Sequence, residues 1–254
     1  MSRVVLITGA CGGIGRVLCA RFAAAGDHVL ALDRDAAGLA QLAADIGCTP
    51  VHAELTDAAG MRTAIDAAAA RRGPVDVVVA NAGAAEGLTL SGTDAASWQR
   101  DVELNLNGSY NTVAAVLPAM QARGQGSIVL VGSVNGITAL GHPAYSAAKA
   151  GMISYTKSLA IEYGRFGIRA NIICPGTVKT QAWQARVDKD PQVLEKLKKW
   201  YPLGDFATPD DIADAALFLA SNAARVITGV VLPVDGGLMA GNRVMAQELT
   251  LESF

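Results

Sequence analysis

Seven short apolar runs, rich in β-branched residues, punctuate the chain: Val4–Ile7, His28–Asp33, Thr49–Ala53, Val75–Ala80, Ser127–Gly132, Arg169–Ile173 and Val230–Val234. Between them lie stretches of helical length, rich in Ala, Leu, Glu and Arg, over 14–25, 36–46, 58–72, 95–123, 144–164 and 209–221. Short runs that are apolar at nearly every position suit strands buried on both faces. Their strict alternation with helices predicts βαβ units and a doubly wound parallel α/β sheet with helices on both faces. No linker or low-complexity tract interrupts the pattern, so residues 1–254 read as a single domain. Only 178–206 breaks the rhythm, being charged and without a strand. An insertion after a strand's carboxyl end overhangs the ligand crevice of an open α/β sheet, so 178–206 reads as a substrate loop. The tail 240–254 is mixed in character and fits either a free end or an oligomer contact.

Composition narrows the function classes. The chain is 51% hydrophobic and 17% charged, which is ample for one core. Its net charge is −2 and no basic run stands out, so no nucleic-acid partner is expected. No stretch reaches about 18 apolar residues free of charge, so no membrane span is expected. Met1-Ser2-Arg3 leads straight into a four-residue apolar run, too short for a secretory segment. The four cysteines (Cys11, Cys19, Cys48, Cys174) lack C-x-x-C spacing. They are expected to be reduced, packed thiols of a cytoplasmic protein, and no metal is expected.

The first strand ends in Thr8-Gly9-Ala10-Cys11-Gly12-Gly13-Ile14-Gly15, followed by a helical pattern. Glycines at a strand-to-helix turn let the backbone approach a pyrophosphate lying on the helix N-terminus. Taken alone the spacing fits a mere tight turn equally well. Asp33, which ends the second strand, adds weight: a carboxylate there accepts from ribose hydroxyls and repels a 2′-phosphate. It favours NAD over NADP, with Arg34 beside it as a partial offset. Asp33 also suits, with Asp35, an N-cap for 36–46.

Tyr145 and Lys149 lie four residues apart on a helix opened by Pro143, and so share one face. A free phenol has a pKa of about 10, and a nearby ammonium favours the phenolate. A tyrosine–lysine pair at this spacing is common on helix surfaces and proves little by itself. Ser133, however, follows the fifth strand and Asn81-Ala82-Gly83 the fourth, while Asn105 is a polar residue inside the stretch 95–117. All of these except Asn105 follow a strand's carboxyl end or begin the next helix. They therefore gather at the sheet edge that carries the glycine turn.

With these motifs in order, and with Pro175-Gly176 before a variable loop, the chain resembles the classical short-chain dehydrogenases/reductases over about residues 1–240. The resemblance implies a Rossmann-type sheet of seven strands in the order 3-2-1-4-5-6-7. It implies Tyr145 as general acid/base, Lys149 as binder of the nicotinamide ribose that depresses the Tyr145 pKa, Ser133 as polariser of the substrate oxygen, and Asn105 as holder of a proton-relay water. Cofactor contacts are expected from Gly9, Cys11, Gly12, Gly13, Ile14, Asp33, Arg34, Asn81, Ala82, Gly83, Tyr145, Lys149, Pro175, Gly176, Val178 and Thr180. Where the family places Asp-Val after the third strand, this chain has Glu54-Leu55, so Glu54 is retained as a candidate beside the Leu55 backbone. Substrate contacts are expected from Ser133, Asn135, His142, Tyr145, Trp183 and Arg186.

The reaction implied is hydride transfer between NAD and a secondary alcohol or ketone, or a sugar hemiacetal or lactone. The polar and aromatic lining points to a small sugar, polyol or hydroxy acid. Rival readings are an NADPH-dependent ketone or 3-oxoacyl reductase and a non-catalytic dinucleotide sensor. The resemblance also implies a homotetramer that pairs 95–117 and 144–164 between subunits.

Overall fold

Each apolar run becomes a strand because both of its faces find a helical layer to cover them. The computed structural model describes residues 2–253, with Ala182 and Ala185 described through their backbone alone. The strands are β1 Val4–Thr8, β2 His28–Asp33, β3 Thr49–His52, β4 Val77–Ala80, β5 Gly126–Val131, β6 Ile168–Pro175 and β7 Val231–Val234. They form one parallel sheet in the order β3-β2-β1-β4-β5-β6-β7.

Side-chain alternation along the strands divides the core into two layers. Leu6, Leu30, Val78, Ile128 and Ile172 face α3 (Ala58–Arg72), α5 (Gly108–Arg123) and α6 (Pro143–Tyr163). Val5, Val29, Val77, Val129 and Ile173 face α1 (Gly13–Ala24), α2 (Ala36–Ile46) and α9 (Pro209–Ala220). The chain forms one Rossmann-like domain, and its parallel connections bring all strand carboxyl ends to a single edge.

Four details depart from the periodicity. The stretch 95–123 is not one regular helix: α4 (Ala95–Val102) passes through a π turn, Glu103–Asn107, into α5. Such a turn shifts the side-chain register, and here it sends Asn105 fully inside. Asp35, not Asp33, caps α2: its Oδ1 accepts from the Gly38 N–H at 2.9 Å. Residues 178–206 contain no strand and carry two short helices, α7 (Gln184–Val187) and α8 (Val193–Lys198), plus a single bridge from Val178 to Ala207. The tail forms α10 (Arg243–Thr250), capped by Asn242.

Candidate active site

The glycine turn is shaped by how closely the backbone returns on itself. Gly9 has φ +64°, where a side chain is strained, and its carbonyl accepts from the Gly12 N–H at 3.1 Å. A β-carbon on Gly15 would lie 1.9 Å from that same carbonyl oxygen, so no other residue fits there. No side chain caps α1 at Gly12, so the first N–H groups of the helix are left for a ligand.

Beside this turn, Thr8 Oγ1 accepts from the N–H groups of Asn81 (3.1 Å) and Ala82 (3.2 Å), and Asn81 Nδ2 donates to Thr8 O at 3.0 Å. The ends of β1 and β4 are thereby locked together. Asp33 stands opposite, its two oxygens accepting from the backbone N–H groups of Cys11 (2.9 Å) and Asp35 (3.1 Å).

These residues enclose a cleft of about 470 Å³, lined by Gly9, Cys11, Gly12, Gly13, Ile14, Asp33, Arg34, Glu54, Leu55, Asn81, Ala82, Gly83 and Thr180, among others. An uncapped helix start, a β-carbon-free turn and a fixed carboxylate at the far end together fit a dinucleotide. Glu54 turns one oxygen to the Leu55 N–H at 3.1 Å and the other toward Arg34 at 4.0 Å.

Among the residues after β6, Thr180 reaches the cleft, close against Gly13. Pro175 ends β6, and Gly176 and Val178 continue the chain from it. Val178 pairs with Ala207 and buries its side chain in the apolar layer, and Gly176 packs on Asp235 and Tyr201.

Gly83 joins the cleft to a second cluster. A β-carbon there would lie 2.6 Å from Asn105 Oδ1 and 3.2 Å from Lys149 Nζ. Asn105 Nδ2 donates to Ala84 O (2.7 Å) and Asp101 O (2.8 Å), while its buried Oδ1 has no partner among the described residues. Such an acceptor is suited to a bound water.

Lys149 is 2% exposed, and its Nζ donates to Val131 O at 2.8 Å and lies 5.5 Å from the centre of the Tyr145 ring. Burial pulls its pKa down to about 8. Burial pushes the Tyr145 phenol up, against the hydrogen bond to Ser133 that draws it down. The expected depression of Tyr145 by Lys149 is thus not what governs the protein alone. The ammonium is itself desolvated and turned toward a carbonyl, and Ser133 is the neighbour that favours the phenolate.

Beyond Tyr145, Asn135 spends its amide on Gly141 O (3.1 Å) and Ser146 Oγ (3.2 Å), while its N–H donates to Ser133 Oγ at 3.1 Å. It braces the β5–α6 connection. His142 sets its ring against that of Tyr145, edge to face at 6.3 Å, and bonds to Arg186. Trp183 lies beneath the Arg186 guanidinium.

Motif reading gives Thr8, which opens the glycine run, no role of its own, and passes over Asp101. Asp101 is buried, takes the Glu86 N–H at 3.1 Å, and its carboxyl is pushed up by burial. Its signal was the i,i+4 spacing to Asn105.

Residues 9–239 match the family model described as enoyl-(acyl carrier protein) reductase. An oxidoreductase of the short-chain dehydrogenase/reductase family from Burkholderia thailandensis is similar throughout: TM-score 0.95 and 64% identity, covering 100% of this chain and 99% of that one. The chain belongs to the short-chain dehydrogenase/reductase family. As a short-chain dehydrogenase/reductase it is an oxidoreductase that works with a nicotinamide dinucleotide.

Its relatives include an uncharacterised oxidoreductase of Schizosaccharomyces pombe, 46% identical over 252 residues (99% of this chain, 96% of the relative). Another is an L-tagatose-forming galactitol 2-dehydrogenase of Cereibacter sphaeroides, 38% identical over 238 residues (91% and 92%). Among the described residues no helix is long and apolar enough to cross a membrane, and no cluster of His, Cys, Asp or Glu could hold a metal ion.

Proposed function

We propose that the protein is an NAD-dependent dehydrogenase of a small polar secondary alcohol, working reversibly on the ketone. The observation that carries this reading is the meeting of Asn105 Oδ1 and Lys149 Nζ at Gly83, which lines the same cleft as Asp33, with the Tyr145 ring beside Lys149 and Ser133 beside Tyr145. When bound, NAD supplies the hydride acceptor at its nicotinamide ring. Tyr145 takes the hydroxyl proton, and Ser133 donates a hydrogen bond to the substrate oxygen as charge develops there. Lys149 holds the ribose. With the unpartnered Asn105 Oδ1 across Gly83, it offers the proton a way out toward solvent. Residues 178–206 close over the substrate side. The galactitol-oxidising relative supports a polyol-like or sugar-like substrate.

Asp33 supports NAD over NADP. A 2′-phosphate brought close to this fixed carboxylate meets a repulsion of roughly 1–4 kcal/mol per charge pair. The expected kcat/KM with NAD is therefore at least about tenfold that with NADP, and Asp33→Ser narrows the gap. A wild-type preference for NADP would favour the rival ketone-reductase reading, toward which exposed Arg34 already leans.

The same reading makes the protein a cytoplasmic homotetramer paired through α5 and α6, which leave Tyr110 and Ile161 exposed. Light scattering is then expected to give about four times the 26.1 kDa chain mass.

A further inference from the structure

Among the described residues two carboxyl side chains belong to buried residues, Asp235 and Asp101. In Asp235 each oxygen has its own donor: Oδ1 accepts from the Gly237 N–H at 3.0 Å and Oδ2 from the Met239 N–H at 2.8 Å. Asp101 is only 2% exposed, yet its two oxygens share one donor, the Glu86 N–H, at 3.1 and 3.4 Å. Among the described residues it makes no ion pair. A carboxylate offers about four acceptor sites, and an asparagine would take the same N–H without the cost of a buried charge. The charge itself therefore calls for a reason.

The N–H that Asp101 holds belongs to the segment 84–88, which runs from the cofactor cleft, lined by Ala84, to His142. Two residues one helical turn apart grip it from one side. Asn105 Nδ2 donates to Ala84 O at 2.7 Å, and Asp101 accepts from Glu86. The same Asn105 amide donates to Asp101 O at 2.8 Å, which ties the two grips together. Arg100, beside Asp101, pairs with the Glu86 side chain at 2.8 Å. His142 grips the segment from the other side. Its Nδ1 lies 3.0 Å from Gly87 O, and its backbone N–H donates to Leu88 O at 3.1 Å.

His142 depends on these contacts. It holds φ +51°, a left-handed conformation that a side chain adopts at a cost, and the carbonyls of Gly87 and Leu88 keep it there. Tyr145, three residues on, meets the His142 ring edge to face at 6.3 Å. From Asp101 to Tyr145 there thus runs one connected path: carboxylate, the backbone of 86–88, imidazole, phenol ring.

Charge follows the same path. The charged and titratable groups facing Asp101 are Glu86 on the segment, His142 at the start of α6 and Arg100 on its own helix, with Tyr145 beyond His142. Burial pushes the Tyr145 phenol up, the Ser133 hydrogen bond draws it down, and Cys174 and Asp101 add to the rise. Burial also pushes the Cys174 thiol up, to about 11, so it stays neutral and Asp101 is left as the anion. We propose, resting on the dehydrogenase reading above, that Asp101 is a positioning residue: by holding Glu86 it seats the segment 84–88 between Asn105 and His142 and so fixes Tyr145, and its buried charge bears on that hydroxyl.

Asp101→Ala frees the Glu86 N–H. With NAD and galactitol as the probe alcohol, it is expected to lower kcat about tenfold or more, with KM changing less, since a 1 Å misplacement of a reacting group can cost about 10²-fold. Asp101→Asn keeps an acceptor oxygen for Glu86 and is expected to bring kcat back to within about threefold of wild type. Its pH profile is expected to differ all the same. Without the neighbouring anion Tyr145 gives up its proton more readily, so oxidation reaches half its plateau at lower pH than in wild type. A carboxyl that only supported the fold would leave that midpoint in place.

Labelling with fluorotyrosine reads Tyr145 without turnover, through the fluorine resonance that Tyr145→Phe removes. Asp101→Ala is expected to shift or broaden it while that of Tyr163, at the far end of α6, stays in place. Followed against pH, the same resonance is expected to titrate at lower pH in Asp101→Asn than in wild type. A Tyr145 resonance unmoved by Asp101→Ala, an equal loss of kcat in the two variants, or a midpoint of Asp101→Asn at or above that of wild type overturns the proposal. Failure of every alcohol to reduce NAD counts against the dehydrogenase reading instead, and the fluorine resonance then still decides the role of Asp101. Should Asp101→Ala not fold, the titration of Asp101→Asn decides alone.

Discussion

Tyr145→Phe is expected to lower kcat by about 10²–10⁴-fold, the range that a positioned acid/base group contributes. NAD affinity, read by titration of the purified protein, should stay close to that of wild type. The substitution removes one oxygen from a ring that is already largely buried, so packing against His142 survives. What is lost is the hydroxyl, neighbour to Ser133, that is proposed to take the carbinol proton. Turnover retained at a tenth of wild type or more would remove Tyr145 from the proton transfer and move the acid/base role elsewhere in the cluster. The phenol is pushed up by burial and drawn down by Ser133, so the pH at which oxidation reaches half its plateau reports on both influences.

Much of this arrangement was legible in the sequence because it depends on local signals. Seven apolar runs set the strands, and the order of glycine turn, Asn81-Ala82-Gly83, Ser133, Tyr145 and Lys149 set the edge on which they meet. Parallel βαβ connections leave little freedom once the strands are known.

What the sequence hid is what depends on contacts between distant segments. The π turn that buries Asn105 gives no periodic signal in a stretch as alanine-rich and mixed as 95–123. The burial of the Val178 side chain goes with a bridge to Ala207, nearly thirty residues on. The seat of Arg186 on His142 joins residues 44 apart through a ring held by a third segment. The direction in which Lys149 points was also hidden. The i,i+4 spacing places it near Tyr145, but the free carbonyl of Val131 at the end of β5 takes its hydrogen bond.

That placement of Lys149 makes function and stability oppose each other. Burial lowers its pKa from 10.5 to about 8. The native fold therefore disfavours the ammonium, which corresponds to about 3 kcal/mol at 1.36 kcal/mol per pH unit. The unfolded chain retains its proton up to the ordinary value, so the penalty is fully present below pH 8 and fades as pH rises from about 8 toward 10.5.

Lys149→Met keeps a similar length of apolar side chain and removes the charge. It leaves the Val131 carbonyl without its donor, a loss of about 1 kcal/mol. The variant is expected to be more stable than wild type by roughly 1–2 kcal/mol at pH 6.5, and the difference should shrink or reverse by pH 10. Urea unfolding at the two pH values measures it. Over the same range its oxidation rate should fall by about 10²-fold or more, since the ribose hold and the proton exit at Gly83 are both lost. A stability gain that does not change with pH would place its cause in packing rather than in the buried charge. Full activity would separate Lys149 from the chemistry at Tyr145.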